Sequence, residues 1–138
     1  MRSFVDTSTL TKKYILEEGR DKFLRLLEQT SNIIVSPICW LEINSVLYRR
    51  LYERTLTREQ LNFLRAEITK DFNFFEKVIW ADAVEEKGLE LIVRYNLRSL
   101  DAIQLAAACV AKPDVFITSD KRLYAPAKNE LKSVELII

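Results

Sequence analysis

Short β-branched and aromatic runs alternate along this chain with longer stretches whose apolar residues recur every three or four positions. Arg2–Val5, Ile33–Val35, Val115–Thr118 and Val134–Ile137 read as short strands, apolar enough to be buried on both faces. Val78–Trp80 reads as a further short strand or an extended connector. Between these runs the spacing predicts helices. After Asp6-Thr7-Ser8-Thr9, one of which serves as N-cap, a helix carries Leu10, Tyr14 and Ile15 inward and Lys12, Lys13, Glu17 and Glu18 outward, with Gly19 as its stop. A second covers about Arg20–Gln29 and sets Phe23, Leu24 and Leu27 on one face.

Ser36-Pro37 supplies an N-cap and a first-turn proline for a helix reaching about Arg54. Ile38, Leu41, Ser45 and Tyr48 lie along one strip of it, with Glu42 and Val46 beside them. Thr57 and Gln60 form a capping box for a helix extending to about Phe75, which presents Leu61, Leu64 and Ile68 and pairs with its predecessor as a hairpin. Asp82 caps a helix running to Tyr95 that carries Val84, Leu89, Ile92 and Val93. Ser99 caps the next, in which Ala102, Leu105, Ala106 and Cys109 suit close packing against a neighbour, and a short helix over Lys121–Lys128 is the last. Strands alternating with helices predict an α/β fold: a central, mostly parallel sheet of about four or five short strands flanked by helices on both faces. At 138 residues, without repeats, low-complexity segments or a linker, residues 1–138 read as one domain.

Composition narrows the chemistry. The formal charge of +1 is too small to attract nucleic acid through bulk electrostatics, so an anionic partner must be held by local patches. Cys39 and Cys109 are far apart in apolar runs and read as buried thiols of a reducing compartment. Met1 leads directly into the strand-like FVD, and no apolar run approaches membrane-spanning length, so a cytoplasmic protein without membrane association is expected. The chain contains no histidine. That removes His-based acid/base chemistry, Ser-His-Asp and Cys-His nucleophiles and His-ligated zinc, and leaves carboxylates with a hard metal ion as the natural route to catalysis.

Four acids fit that route. Asp6 directly follows the first strand, and Asp120 closely follows Val115–Thr118; in an open parallel sheet such positions share the C-terminal edge. Asp101 stands in the first turn of an apolar helix, and Glu42 lies early in a helix that itself follows a strand. Each alone has a structural explanation, as a cap, a dipole partner or a solvated position. Brought together they repel one another unless a cation lies among them, and Mg²⁺ or Mn²⁺ suits an all-oxygen set. Such a site favours displacement at phosphorus, with a metal-activated water as nucleophile.

Four segments carry a resemblance: FVDTSTL around Asp6, SPICWLEINSVLYRR around Glu42, LRSLDAIQLAAA around Asp101 and VFITSDKRL around Asp120. In this order and spacing the chain resembles the PIN-domain ribonucleases, most closely the small VapC-type toxins of prokaryotic toxin–antitoxin pairs. The resemblance implies that Asp6, Glu42, Asp101 and Asp120 are the catalytic tetrad, with Ser8, Thr118 and Ser119 as supporting polar groups. Asp6, Asp101 and Asp120 are then the expected metal ligands, Glu42 completing the site. It further implies a Mg²⁺- or Mn²⁺-dependent endoribonuclease acting on single-stranded or loop RNA, a homodimer, and a cognate antitoxin as partner. Ile103-Gln104 stands where many relatives carry a bulky residue and a histidine, and Leu131-Lys132 where relatives place a glycine. Neither departure is expected to touch the metal site; they bear on substrate choice and on the last strand.

Arg49, Lys121 and Arg122 are candidate RNA contacts, within a wider basic group of Arg50, Arg54 and Arg58. The aromatics of the hairpin (Trp40, Tyr48, Tyr52, Phe63, Phe72, Phe74, Phe75) divide between core and a dimer or antitoxin groove. A haloacid-dehalogenase-type phosphatase needs a second Asp where Ser8 stands. A response-regulator receiver needs a paired acid at the first strand and an Asp after a middle strand, where Ser36-Pro37 stands. A PIN nuclease of RNA processing and a silent PIN-fold interaction module remain the alternatives to a toxin.

Overall fold

Three of the five strands alternate residue by residue between two helical layers. A computed structural model describes residues Met1–Ile138. Strands β1 (Arg2–Val5), β2 (Asn32–Val35), β3 (Glu76–Lys77), β4 (Val115–Thr118) and β5 (Val134–Leu136) form one sheet in the order β3-β2-β1-β4-β5, all pairs parallel. Val5, Val35 and Ile117 face one core, with Leu10, Phe23, Cys39, Ile43, Leu47, Leu61 and Ile68. Phe4, Ile34 and Phe116, one residue back on each strand, face the other, with Val84, Leu91, Leu105 and Leu123. This period of two buries both faces of the sheet and is why these strands carry apolar runs.

The first core is covered by α1 (Thr7–Leu10), the 3₁₀ turn Thr11–Lys13, α2 (Arg20–Glu28), α3 (Cys39–Tyr52) and α4 (Arg58–Phe72); the second by α5 (Asp82–Tyr95), α6 (Ser99–Ala111) and α7 (Lys121–Glu130). The expected α/β architecture, with a parallel sheet between helical layers, is therefore present. The Thr57–Gln60 capping box forms with both reciprocal bonds, at 2.9 and 3.1 Å. No helix is long and apolar enough to cross a membrane.

Several local expectations are corrected. The helix after Asp6 lasts one α-turn and tightens into 3₁₀, which turns Lys12 inward, where it is 8% exposed beside Glu17. Gly19, at φ 86°, precedes α2 as its N-cap. Pro37 and Ile38 form a turn, so α3 begins at Cys39 and buries Cys39, Ile43 and Leu47. The strand expected over Val78–Trp80 is the two-residue β3 just before it. Asp82 and Ser99 are the first helical residues of their helices, with Ala81 and Arg98 at the caps. On α5 the inward residues are Val84, Gly88 and Leu91, while Leu89 and Val93 are 63% and 79% exposed.

Candidate active site

Parallel pairing decides where the acids lie. Val5 is in register with Ile117, and the Asp6 amide continues the ladder to the Ile117 carbonyl at 2.9 Å. The chain leaves β1 and β4 at the same edge, so Asp6 and Asp120 emerge side by side. The first turn of α6 brings Asp101 to that edge, and the first turn of α3 brings Glu42. All four line one open cavity of about 520 Å³, together with Thr7, Ser8, Ile38, Leu41, Ser45 and Arg49 among others. Ile38, at the cap of α3, and Leu41 and Ser45 within it thus form a wall of this cavity. A larger hollow of about 620 Å³ between α5 and α6 is lined by Trp80, Leu89, Ile92 and Ile103; it lacks this convergence of acids from separate elements.

Asp6 is 5% exposed. Its Oδ2 accepts hydrogen bonds from Ser8 Oγ at 2.6 Å and Thr118 Oγ1 at 2.8 Å. Burial raises its pKa to about 6, against the pull of those two hydroxyls and with further push from Glu42 and Asp120. Asp101 is also raised, by burial and then by Asp120, with Arg122 and Arg98 working the other way. Asp120 caps α7, its Oδ1 accepting from the Arg122 amide at 2.8 Å, so the capping explanation holds for it as well. Glu42 Oε1 accepts from Thr7 Oγ1 at 2.9 Å and from Gln104 Nε2 at 2.5 Å.

Of the supporting polar groups, Ser8 and Thr118 both hold Asp6. Ser119 turns its hydroxyl to Thr9 Oγ1 at 2.8 Å, and its main-chain amide donates to Ser8 Oγ at 3.1 Å. Among the candidate RNA contacts, Arg49 lines the cavity, whereas Lys121 and Arg122 are exposed on the first turn of α7 beside it. The structure corrects one expectation here. Gln104 is buried, lines the cavity and grips Glu42, so the Ile103-Gln104 departure does reach the acid site. The Thr7–Glu42 contact joins residues 35 positions apart, beyond the reach of any local sequence pattern.

The donor chemistry fits a hard divalent cation. Asp6, Glu42 and Asp101 form no ion pair with any Lys or Arg; Asp120 has one, with Arg122 at 3.6 Å, while Arg122 and Arg98 act on Asp101 from further away and Arg49 lines the cavity. Four carboxylate groups facing one cavity are an all-oxygen donor set of the kind that Mg²⁺ or Mn²⁺ prefers. No three of these side chains stand close enough together to form a ligand cage.

Comparison with known proteins agrees with this architecture. The PIN domain family matches residues 3–129. No curated protein matches the sequence. Among solved structures, FitAcB from Neisseria gonorrhoeae superposes with a TM-score of 0.74 at 11% identity, covering 96% of this chain and 96% of its own. VapBC2 from Rickettsia felis, bound to a promoter DNA fragment, gives 0.71 at 12% identity, with coverage of 99% and 98%. VapC20 of Mycobacterium tuberculosis, a sarcin–ricin-loop-cleaving toxin, gives 0.65 at 20% identity, with coverage of 89% and 93%.

Proposed function

From the premise that this chain belongs to the PIN-domain family, we propose that it is a Mg²⁺- or Mn²⁺-dependent endoribonuclease, the toxin of a toxin–antitoxin pair, with residues 1–138 as one nuclease unit. The observation that carries the reading is the convergence of Asp6, Glu42, Asp101 and Asp120 on one cavity at the C-terminal edge of a parallel sheet. Asp6, Asp101 and Asp120 would hold the cation, and Glu42 would complete the site. A divalent ion bound there supplies an acidified water and neutralises charge developing on the phosphate.

The protein groups have separable tasks. Ser8 and Thr118 fix Asp6, so its carboxylate meets the cavity in one orientation. Arg49, at the cavity wall, receives a phosphate of the RNA, and Lys121 and Arg122 extend the track. Water attacks phosphorus in line, the ribose 3′-oxygen leaves, and the products are a 5′-phosphate and a 3′-hydroxyl. The substrate 2′-hydroxyl is not required as nucleophile. Single-stranded or loop RNA suits an open cavity, and the sarcin–ricin-loop cleavage by VapC20 supports a loop as substrate.

The partners follow from surface as well as from likeness. An open groove of about 610 Å³, lined by Tyr14, Leu16, Leu56, Phe63 and Leu64, offers an apolar seat to an antitoxin segment, and toxin–antitoxin complexes are among the structures this fold resembles. Exposed Leu89 and Val93, one turn apart on α5, offer an apolar patch to a second copy in a homodimer of the cytoplasm. The test is cleavage of an RNA panel by the wild type with Mg²⁺, the wild type in EDTA, and Asp101→Asn with Mg²⁺, followed by end-group mapping. Cleavage should require the metal, fall at least about 100-fold in the variant and leave 5′-phosphates. Full activity in EDTA, or a 2′,3′-cyclic phosphate, refutes the mechanism.

A further inference from the structure

We propose that Gln104 is a positioning residue that aims Glu42 into the acid cavity; the inference rests on the nuclease reading above and adds a determinant of its geometry. Gln104 lies on α6 at 2% exposure. Its Nε2 carries two hydrogens, and there is an acceptor for each: Thr7 Oγ1 at 3.0 Å and Glu42 Oε1 at 2.5 Å. The Thr7 hydroxyl passes its own proton to the same Glu42 oxygen at 2.9 Å. Both donors therefore converge on Oε1. Glu42 Oε2 takes no hydrogen bond and is not among the buried atoms left without a partner, so it meets the solvent of the cavity. One oxygen is clamped and the other is presented. A glutamate on an open helix face otherwise spreads over several rotamers.

The amide can be oriented only one way. Reversed, its carbonyl would oppose Glu42 Oε1, which already accepts from Thr7, acceptor against acceptor. That orientation leaves Gln104 Oε1 as the one buried side-chain polar atom in the molecule without a hydrogen-bond partner. A residue serving packing alone would not bury an unpartnered acceptor, since an apolar side chain of the same length fills the space without that penalty. An apolar side chain of the same length satisfies a packing role, so what separates the two roles is the Glu42 rotamer, which only the clamp controls.

The experiment compares wild type, Gln104→Met and Gln104→His by crystal structure, urea denaturation, Mn²⁺ calorimetry and RNA cleavage with Mg²⁺. In Gln104→Met, unfolding should occur at the same or higher urea while Glu42 leaves its wild-type rotamer. Mn²⁺ affinity or kcat should fall about 10–100-fold with KM for RNA little changed. Gln104→His, which can offer a ring N–H to the same oxygen, should bring Glu42 back and restore the rate to within a few fold. The proposal is overturned if Glu42 keeps its rotamer in Gln104→Met, or if that variant loses stability and activity together with Glu42 unmoved. Failure of the nuclease reading looks different: wild type with an ordered Glu42 that cuts no RNA in Mg²⁺. The Glu42 rotamer decides the clamp in that case too.

Discussion

Replacing Asp6 by asparagine should make the metal-free protein more stable while abolishing its activity. The carboxyl is buried and its pKa is raised from 3.8 to about 6, first by loss of hydration and then by the neighbouring acids Glu42 and Asp120. The folded state therefore binds more protons than the unfolded state between those two values. Stability must fall as pH rises through that window, and the whole penalty is present above it. At about 1.4 kcal/mol per pKa unit the shift corresponds to about 3 kcal/mol, an upper figure for what the variant regains at neutral pH. Asparagine keeps an oxygen to accept from Ser8 and Thr118, and its amide turns the repulsion of the other acids into attraction. We expect a gain of about 1–3 kcal/mol at pH 7.5 that shrinks towards zero near pH 4. Urea denaturation of both proteins in EDTA, from pH 4 to pH 8, measures it. Adding Mn²⁺ should then stabilise the wild type more than the variant, because a ligand of the folded state alone shifts the balance by mass action. An asparagine variant less stable than wild type at pH 7.5 in EDTA, or a difference independent of pH, would refute the reasoning.

Two further outcomes test features away from the cavity. Glu130 is held by Lys87 at 3.0 Å, Arg94 at 2.7 Å and the Tyr95 hydroxyl at 2.6 Å, which together overcome its burial and pull its pKa down to about 2. The stability this contributes is complete above the ordinary glutamate range and is lost as pH falls from about 4.5 towards 2. Glu130→Gln should cost about 1–2 kcal/mol at pH 7, allowing for solvent screening at the half-exposed Arg94, and the difference should vanish in acid titrations followed by circular dichroism. Gly19 sits at φ 86°, and a Cβ there would lie 2.8 Å from Ile137 Cγ2. Gly19→Ala should therefore lower stability by about 1–2 kcal/mol in thermal unfolding, and by less when the same substitution is made in an Ile137→Ala background; an unchanged midpoint would show that neither backbone strain nor the clash matters.

How far the chain could be read follows the range of the forces involved. Val115–Thr118 was legible because a strand buried on both faces needs an unbroken β-branched and aromatic run, and the Thr57 capping box because its two hydrogen bonds close within three residues. Asp6 and Asp120 were legible as neighbours because parallel strands deliver their ends to one edge, whatever lies between. The inward face of α5 was not. Its sequence offers Leu89 and Val93 as readily as Val84 and Leu91, and what decides is that Gly88 faces Ala106 of α6, which rotates Leu89 and Val93 to solvent. The hold of Gln104 on Glu42 is the clearest case of what only tertiary structure decides. The residues lie 62 positions apart, on helices covering opposite faces of the sheet. A hydrogen bond reaches about 3 Å, so the contact exists only once both helices have packed and their ends have met above the strands.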